Sequence, residues 1–240
     1  MADFLCDLHM HSCLSPCGDS DMTPYNLVNM AKVMGLDALA LTDHNSSLNC
    51  PAAEKAAREA EITFIPGMEL TTSEEVHIVC LFPETAAALD FSELVSRRMP
   101  KIQNRLDLFG EQLIMDEGDG VLGCVENLLG TASFISIDEA ASLVHGFGGI
   151  CYPAHIDRPS FSVISNLGFF DPSWDFDCAE ISANADRDKL LSEHKILRDM
   201  RLIRASDAHF LENVGSGCCT LSLDKCTPEN VLNVLGLNRI

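Results

Sequence analysis

Short apolar runs alternate with amphipathic stretches along most of the chain. Phe4 to Met10, Asp37 to Leu41, Ile62 to Ile65 and Val76 to Phe82 are each apolar enough and short enough to predict a strand. Between them, helices are predicted from about Pro24 to Met34 and from Cys50 to Ala60. Thr23 stands as N-cap to the first, Pro24 as its first residue and Gly35 as its stop. Thr85 to Arg98 predicts another helix. Ser136 followed by Glu139 at the third helical position forms a capping-box pattern for Ile137 to His145. Ile150 to Ala154, Cys178 to Ile181 and Leu202 to Ala205 predict further strands, and Arg187 to Met200 and Pro228 to Leu235 further helices. From about 100 to 136 the pattern is irregular. There, Asp116-Glu117-Gly118-Asp119-Gly120 between apolar runs predicts a turn joining two strands.

Strands alternating with helices predict an α/β fold with a parallel sheet. At 240 residues the chain has the length of one α/β barrel, so residues 1–240 are expected to form a single domain, with 100–136 inserted into it. Functional side chains of a parallel barrel gather just after the strands, at their C-terminal ends.

Composition narrows the setting. No apolar run is long enough to cross a bilayer and no signal-peptide pattern opens the chain, so a cytoplasmic protein without membrane contact is expected. The 11 cysteines are odd in number and lack zinc-finger spacing, which predicts reduced thiols acting mostly as small buried apolar residues. A formal net charge of −20 argues against a broad surface for long duplex nucleic acid. It leaves room for a small phosphorylated substrate, because bound cations reverse the local field.

The polar residues at the predicted strand ends carry the chemistry. The first strand ends in Asp7-Leu8-His9-Met10-His11, and residues two apart on a strand project from one face. His44 follows the second strand in Thr42-Asp43-His44-Asn45, and Glu69 follows the third in Pro66-Gly67-Met68-Glu69. His77 opens a strand, His155 ends one, and Asp207-Ala208-His209 follows the last. Six of the eight histidines, all but His145 and His194, thus lie at or beside strand ends. Imidazoles mixed with carboxylates suit zinc, manganese or iron better than calcium. The donors outnumber what one ion needs, which predicts two or three divalent metal ions with Glu69 as a bridge.

Taken together, DLHMHS at 7–12, LTDHN at 41–45, PGMEL at 66–70, His77, PAH at 153–155 and SDAH at 206–209 resemble the PHP superfamily, named for its polymerase and histidinol phosphatase members. The resemblance implies a distorted, TIM-like (β/α)7 barrel and a site for up to three metals. By it, His9, His11, Glu69 and Asp207 would hold one ion, Glu69, His77 and His155 a second, and Asp19, His44 and His209 a third. Asp19 is chosen because it stands five residues before Pro24, and Asp21 is its alternative. Glu69, Asp207 and His209 are placed at the reaction itself. The implied activity is hydrolysis of a small phosphate monoester or diester, such as a histidinol-phosphate-like compound, a nucleotide or a sugar phosphate.

Three further residues carry expectations of their own. Asp43 either orients a ligand or caps a turn. Arg158 and Arg187 are expected to contact substrate phosphate through a planar two-pronged donor, with a surface salt bridge as the alternative for Arg158. His145 and His194 are assigned to helix surfaces or ends. Two rival readings stand beside the phosphoesterase: an amidohydrolase-type metal enzyme, and a metal-binding regulatory barrel without catalysis.

Overall fold

A computed structural model describes residues 1–236. In chain order the first half holds β1 (Ala2–Asp7), α1 (Pro24–Val33), β2 (Ala38–Leu41), α2 (Cys50–Ala60), β3 (Thr63–Thr71), β4 (His77–Leu81) and α3 (Thr85–Arg97). A short helix α4 (Leu106–Phe109) and the hairpin β5 (Leu113–Met115) and β6 (Val121–Cys124) follow. The second half holds α5 (Ile137–Gly146), β7 (Ile150–Pro153), α6 (Val163–Leu167), β8 (Ala179–Ile181), α7 (Arg187–Glu193), β9 (Leu202–Arg204), β10 (Cys219–Leu223) and α8 (Pro228–Leu235).

This is a mixed α/β architecture. One sheet runs β10-β1-β2-β3-β4-β7, and β8 and β9 form a parallel pair of their own. A parallel bridge between Met10 and Ala208 places the end of β9 beside the end of β1. No continuous ladder joins β7 to β8 among the described residues, so the seven-stranded barrel is not drawn by strand pairing alone. The all-parallel expectation is corrected as well. β1, β2 and β3 are parallel, but β4 runs antiparallel to both β3 and β7, and β10 runs antiparallel to β1. The cause is local. Thr72 donates its N–H to Val76 O across a tight turn, and Glu75 takes a positive φ there. A hairpin this short leaves no room for a crossover, so its strands must run in opposite directions.

β3 is also longer than its apolar run predicts, continuing through Pro66-Gly67 to Thr71. Gly67 permits this. A Cβ there would lie 2.8 Å from Cys80 O, so a bare backbone is what lets β4 pair alongside.

Both faces of the sheet are covered. Ala38, Ala40, Ile65, Val79, Leu81 and Tyr152 point into the curl, while the alternate residues Leu39, Leu41 and Phe64 pack on α1 and α2. Ile78, Cys80 and Cys151 face α3 and α5 through Phe82, Phe91, Ala140 and Val144. Ala38 and Ala40 leave room inside the curl for the larger Ile65, Leu81 and Tyr152. Among the described residues no cysteine forms a disulfide; Cys6, Cys13, Cys50, Cys80, Cys151 and Cys178 are buried.

Two helix ends differ from expectation. Thr23 caps α1 through Asn26 N, but Ser136 makes no side-chain cap for α5. Glu74 does so instead, accepting from Ile137 N at 2.9 Å, and Glu139 is drawn to Arg98. The helix predicted over 187–200 breaks at His194 (φ −121°, ψ 82°) into α7 and a 3-10 turn, Lys195–Asp199. The break lets both Leu190 and Leu197 reach the core.

Residues 100–136 are tied to the rim by buried amides. Asn49 donates to Ser12 Oγ and to Leu113 O, and its Oδ1 accepts from Met115 N at 2.9 Å. Asn45 donates to Leu129 O and Thr131 O while accepting from Thr71 N. Asn49→Ala strands Met115 N and Leu113 O. The expected cost is about 1–3 kcal/mol, read from the midpoint of urea unfolding; an unchanged midpoint would show that the clamp carries no stability.

Candidate metal centre

Strand direction decides which residues meet. The ends of β1, β2 and β3 lie on one rim because these strands are parallel. β4 runs the other way, so its beginning, His77, arrives on that same rim. β7 reverses again and delivers His155 just past its end. The Met10–Ala208 bridge brings Asp207 and His209 alongside His9 and His11. A parallel bridge between His44 and Glu69 completes the ring. His155 (φ 30°) and Asp207 (φ 50°) take left-handed backbone as the chain turns off the strands. Non-glycine residues pay such strain chiefly where the surroundings fix them for a purpose.

Glu69 sits in the middle, fully buried. Its Oε1 lies 3.0 Å from His77 Nδ1, 3.2 Å from His9 Nε2 and 3.3 Å from His155 Nε2. Its Oε2 lies 2.9 Å from His44 Nδ1 and 3.4 Å from His11 Nε2. Asp207 Oδ1 stands 3.1 Å from His11 Nε2 and 3.3 Å from His9 Nε2. The His209 ring stacks on His11 with centroids 4.2 Å apart. Three overlapping groups have donors close enough to share a cation: His9, His11 and Glu69; His44, Glu69 and His77; and His11, His44 and His209.

The charges are balanced by this crowding. Burial opposes ionisation of Glu69, yet the imidazoles of His77, His9 and His44 outweigh it and hold the carboxyl well below the usual carboxylate range. Burial likewise opposes protonation of His9, and Glu180, Glu69 and Asp207 push its pKa up. His11 is driven down by burial, with His209 and His44 adding to the effect. Despite the crowding, both oxygens of Glu69, Oδ1 of Asp207, and Nδ1 of His44 and His77 make no hydrogen bond. Buried polar atoms left in this state cost free energy that a shared cation removes. The donor set therefore fits divalent metal.

Behind the ring lies a layer that holds the histidines in place. Glu180, buried on β8, receives His9 Nδ1 at 2.9 Å and His155 N at 3.2 Å. Asp43 accepts from Ser12 N, Ser12 Oγ and Ser15 Oγ, each at 2.7 Å. Ser15 Oγ in turn lies 3.0 Å from His11 Nδ1. Sequence reasoning missed Glu180 and Ser15. A lone acid in the apolar strand Ala179–Ile181 was the available signal for the first; nothing marked the second.

The remaining expected residues divide. Arg158 lines the pocket of about 200 Å³ that opens onto the centre, together with Ser160 and Phe161, and its Nη1 is 2.5 Å from Asp207 Oδ2. Arg187 is exposed at the start of α7 and does not line that pocket. Asp19 Oδ1 accepts from Asp21 N within its own loop, and Asp21 is exposed. Neither belongs to the three donor groups. Cys17 is the loop residue found against the histidines instead, with Sγ 3.2 Å from His44 Nε2. Burial raises the thiol, but hydrogen bonds with His209 and His44 outweigh it and hold its pKa down at about 6. His145 lies apart, near the start of β7, 3.0 Å from Asp177 Oδ2. His194 closes α7.

Known proteins are similar to this chain in part. A 5'-3' exoribonuclease of Haemophilus influenzae is 35% identical over 113 residues, covering 43% of this chain and 40% of its own. A 3',5'-nucleoside bisphosphate phosphatase of Chromobacterium violaceum is 32% identical over 126 residues, covering 51% of this chain and 42% of its own. The chain thus spans less than half the length of these relatives. A lesion-specific endonuclease from Pyrococcus furiosus superposes with a TM-score of 0.70 at 18% identity, over 99% of this chain and 57% of that one, which is a likeness of fold. The PHP domain matches residues 7–145, more than half of the chain and most of the histidine ring, and this protein belongs to the PHP domain family.

Proposed function

We propose that this chain is a metal-dependent phosphoesterase acting on the phosphate ester of a nucleotide, free or at the end of a nucleic-acid strand. The single observation that carries the reading is the buried Glu69 carboxylate, faced by five imidazoles and bonded to none of them. In this reading the rim belongs to a distorted (β/α)7 barrel with 100–136 inserted. His9, His11, Glu69 and Asp207 hold one of two or three zinc, manganese or iron ions; Glu69, His77 and His155 hold the next; His44 and His209 serve the third. Such ions supply Lewis acidity toward phosphoryl oxygen and lower the pKa of coordinated water.

The chain's own groups set the proton positions. Glu180 takes the proton of His9 Nδ1, which leaves Nε2 a lone pair facing Glu69 and Asp207. Ser15 donates its one hydroxyl proton to Asp43 and accepts His44 N, so the proton between Ser15 and His11 sits on His11 Nδ1. His11 Nε2 is thereby free to coordinate. His209 Nδ1 faces Asp207 O at 2.8 Å; a carbonyl only accepts, so the proton lies on Nδ1 and Nε2 is open. Among the described residues Arg158 is the one lysine or arginine lining the pocket, and its fork suits two phosphoryl oxygens.

The expectation of no long duplex nucleic acid, drawn from net charge, stands against the printed names of a relative, an exoribonuclease, and of a fold neighbour, an endonuclease. A strand end needs only a few phosphates in the pocket, and counterion release along a long duplex is a different requirement.

Purified chain is expected to carry two or more divalent ions and, with manganese or zinc present, to hydrolyse members of a panel. The panel comprises para-nitrophenyl phosphate, its bis-ester, a nucleoside 3',5'-bisphosphate and a 5'-phosphorylated oligoribonucleotide. Metal-loaded protein inert on the whole panel would end the proposal. Glu69→Gln should lose metal and turnover together while keeping its circular dichroism. Glu180→Gln and Ser15→Ala, which only orient His9 and His11, should weaken metal affinity about 10–100-fold; equal affinity in both would refute the proton assignments. Arg158→Ala should raise KM about 10–100-fold, from the loss of a charged hydrogen bond of about 1.5–3 kcal/mol, with metal content unchanged. An unaltered KM would return Arg158 to the role of a salt bridge.

A further inference from the structure

The loop between β1 and α1 folds tightly on itself above the centre. Ser15 N donates to Ser12 O and Gly18 N to Ser15 O. A Cβ on Gly18 would lie 2.2 Å from Ser12 O, so the turn closes only around glycine. This turn aims the preceding side chain inward. Although Cys17 is a surface residue, its Sγ lies 3.2 Å from His44 Nε2. His44 is itself more than nine-tenths buried; its Nδ1 faces Glu69 Oε2 at 2.9 Å, so Nε2 is the ring nitrogen turned toward Cys17. His11, His44 and His209 bring ligand atoms within 4.8 Å of one another at this place.

Asp19 is committed elsewhere. Its carboxylate accepts from Asp21 N, and its own N–H donates to His209 O at 2.9 Å. It braces the loop and the backbone of His209. The two candidates thus separate by role: Asp19 fixes the turn and Cys17 presents a donor.

We propose that Cys17 is the loop ligand of the cation held by His44 and His209, so that this position is bound through sulfur where a carboxylate was expected. A thiolate is a soft ligand and favours zinc or iron over manganese and magnesium. The centre is then asymmetric. Nitrogen and oxygen surround the ions bridged by Glu69, and the ion at the loop is the selective one. The inference rests on the metal-centre reading above.

Cobalt(II) reads the two apart without any assay of turnover. The full chain is stripped, reloaded with cobalt under anaerobic conditions, and compared with Cys17→Ala and Cys17→Asp. Wild type is expected to show a near-ultraviolet sulfur-to-cobalt charge-transfer band. Cys17→Ala should lose the band and about one cobalt ion per chain. Cys17→Asp should regain the ion without the band and shift metal preference from zinc toward manganese. Cobalt bound by wild type with no charge-transfer band, or a band that survives in Cys17→Ala, would overturn the role of Cys17 and leave the histidine centre standing. Failure of wild type to bind cobalt at all would overturn both.

Discussion

A carboxylate with no exposure to water is the constraint on which this structure turns. Taking Glu69 out of solvent is costly unless its charge is met, and it is met from every side by rings carried on other strands. It lies in the second half of β3, just past the point where pairing with the parallel β2 gives way to pairing with the antiparallel β4, and there residues after β2 and β7 and at the start of β4 all reach it. The sheet order and the donor ring are two views of one arrangement.

The layer behind the ring shows how a fold holds basic groups in one protonation state. Glu180 and the Asp43–Ser15 pair are buried with their partners already in hydrogen-bond contact. Their work is electrostatic and directional: each settles which nitrogen of a ring bears the proton. The chain's large negative charge lies mainly elsewhere, and the pocket itself has one guanidinium at its wall. Net charge therefore speaks for the outer surface and says little about the site.

Much of the rim could be read from residue spacing. His9 and His11 lie two apart on a strand, and that periodicity alone puts both rings on one face. Asp207 and His209 repeat it. Strand direction was not legible, because hairpin and crossover differ here by the few residues of the Thr72–Val76 turn. β10 escaped notice although Leu221 and Leu223 alternate with Thr220 and Ser222, the mark of a half-exposed edge. Arg187 was drawn toward the site by its place after β8; a helix start at Asp186 turned it away. The thiol beside the rings was missed for a chemical reason. A carboxylate was sought at a fixed distance from Pro24, and the residue that meets the rings is a thiol nearer the turn.

Asn45 joins two regions that sequence separates. It follows His44 directly, and its amide spans from Thr71 on β3 to the carbonyls of Leu129 and Thr131. The segment 100–136 is thus hinged to the peptide that carries a ring of the centre. Its hairpin, β5 and β6, comes earlier in the chain than the two anchor carbonyls, Leu129 O and Thr131 O. A change at Asn45 therefore reaches this segment and the peptide carrying His44 together, although no residue of 100–136 lines the pocket at the centre.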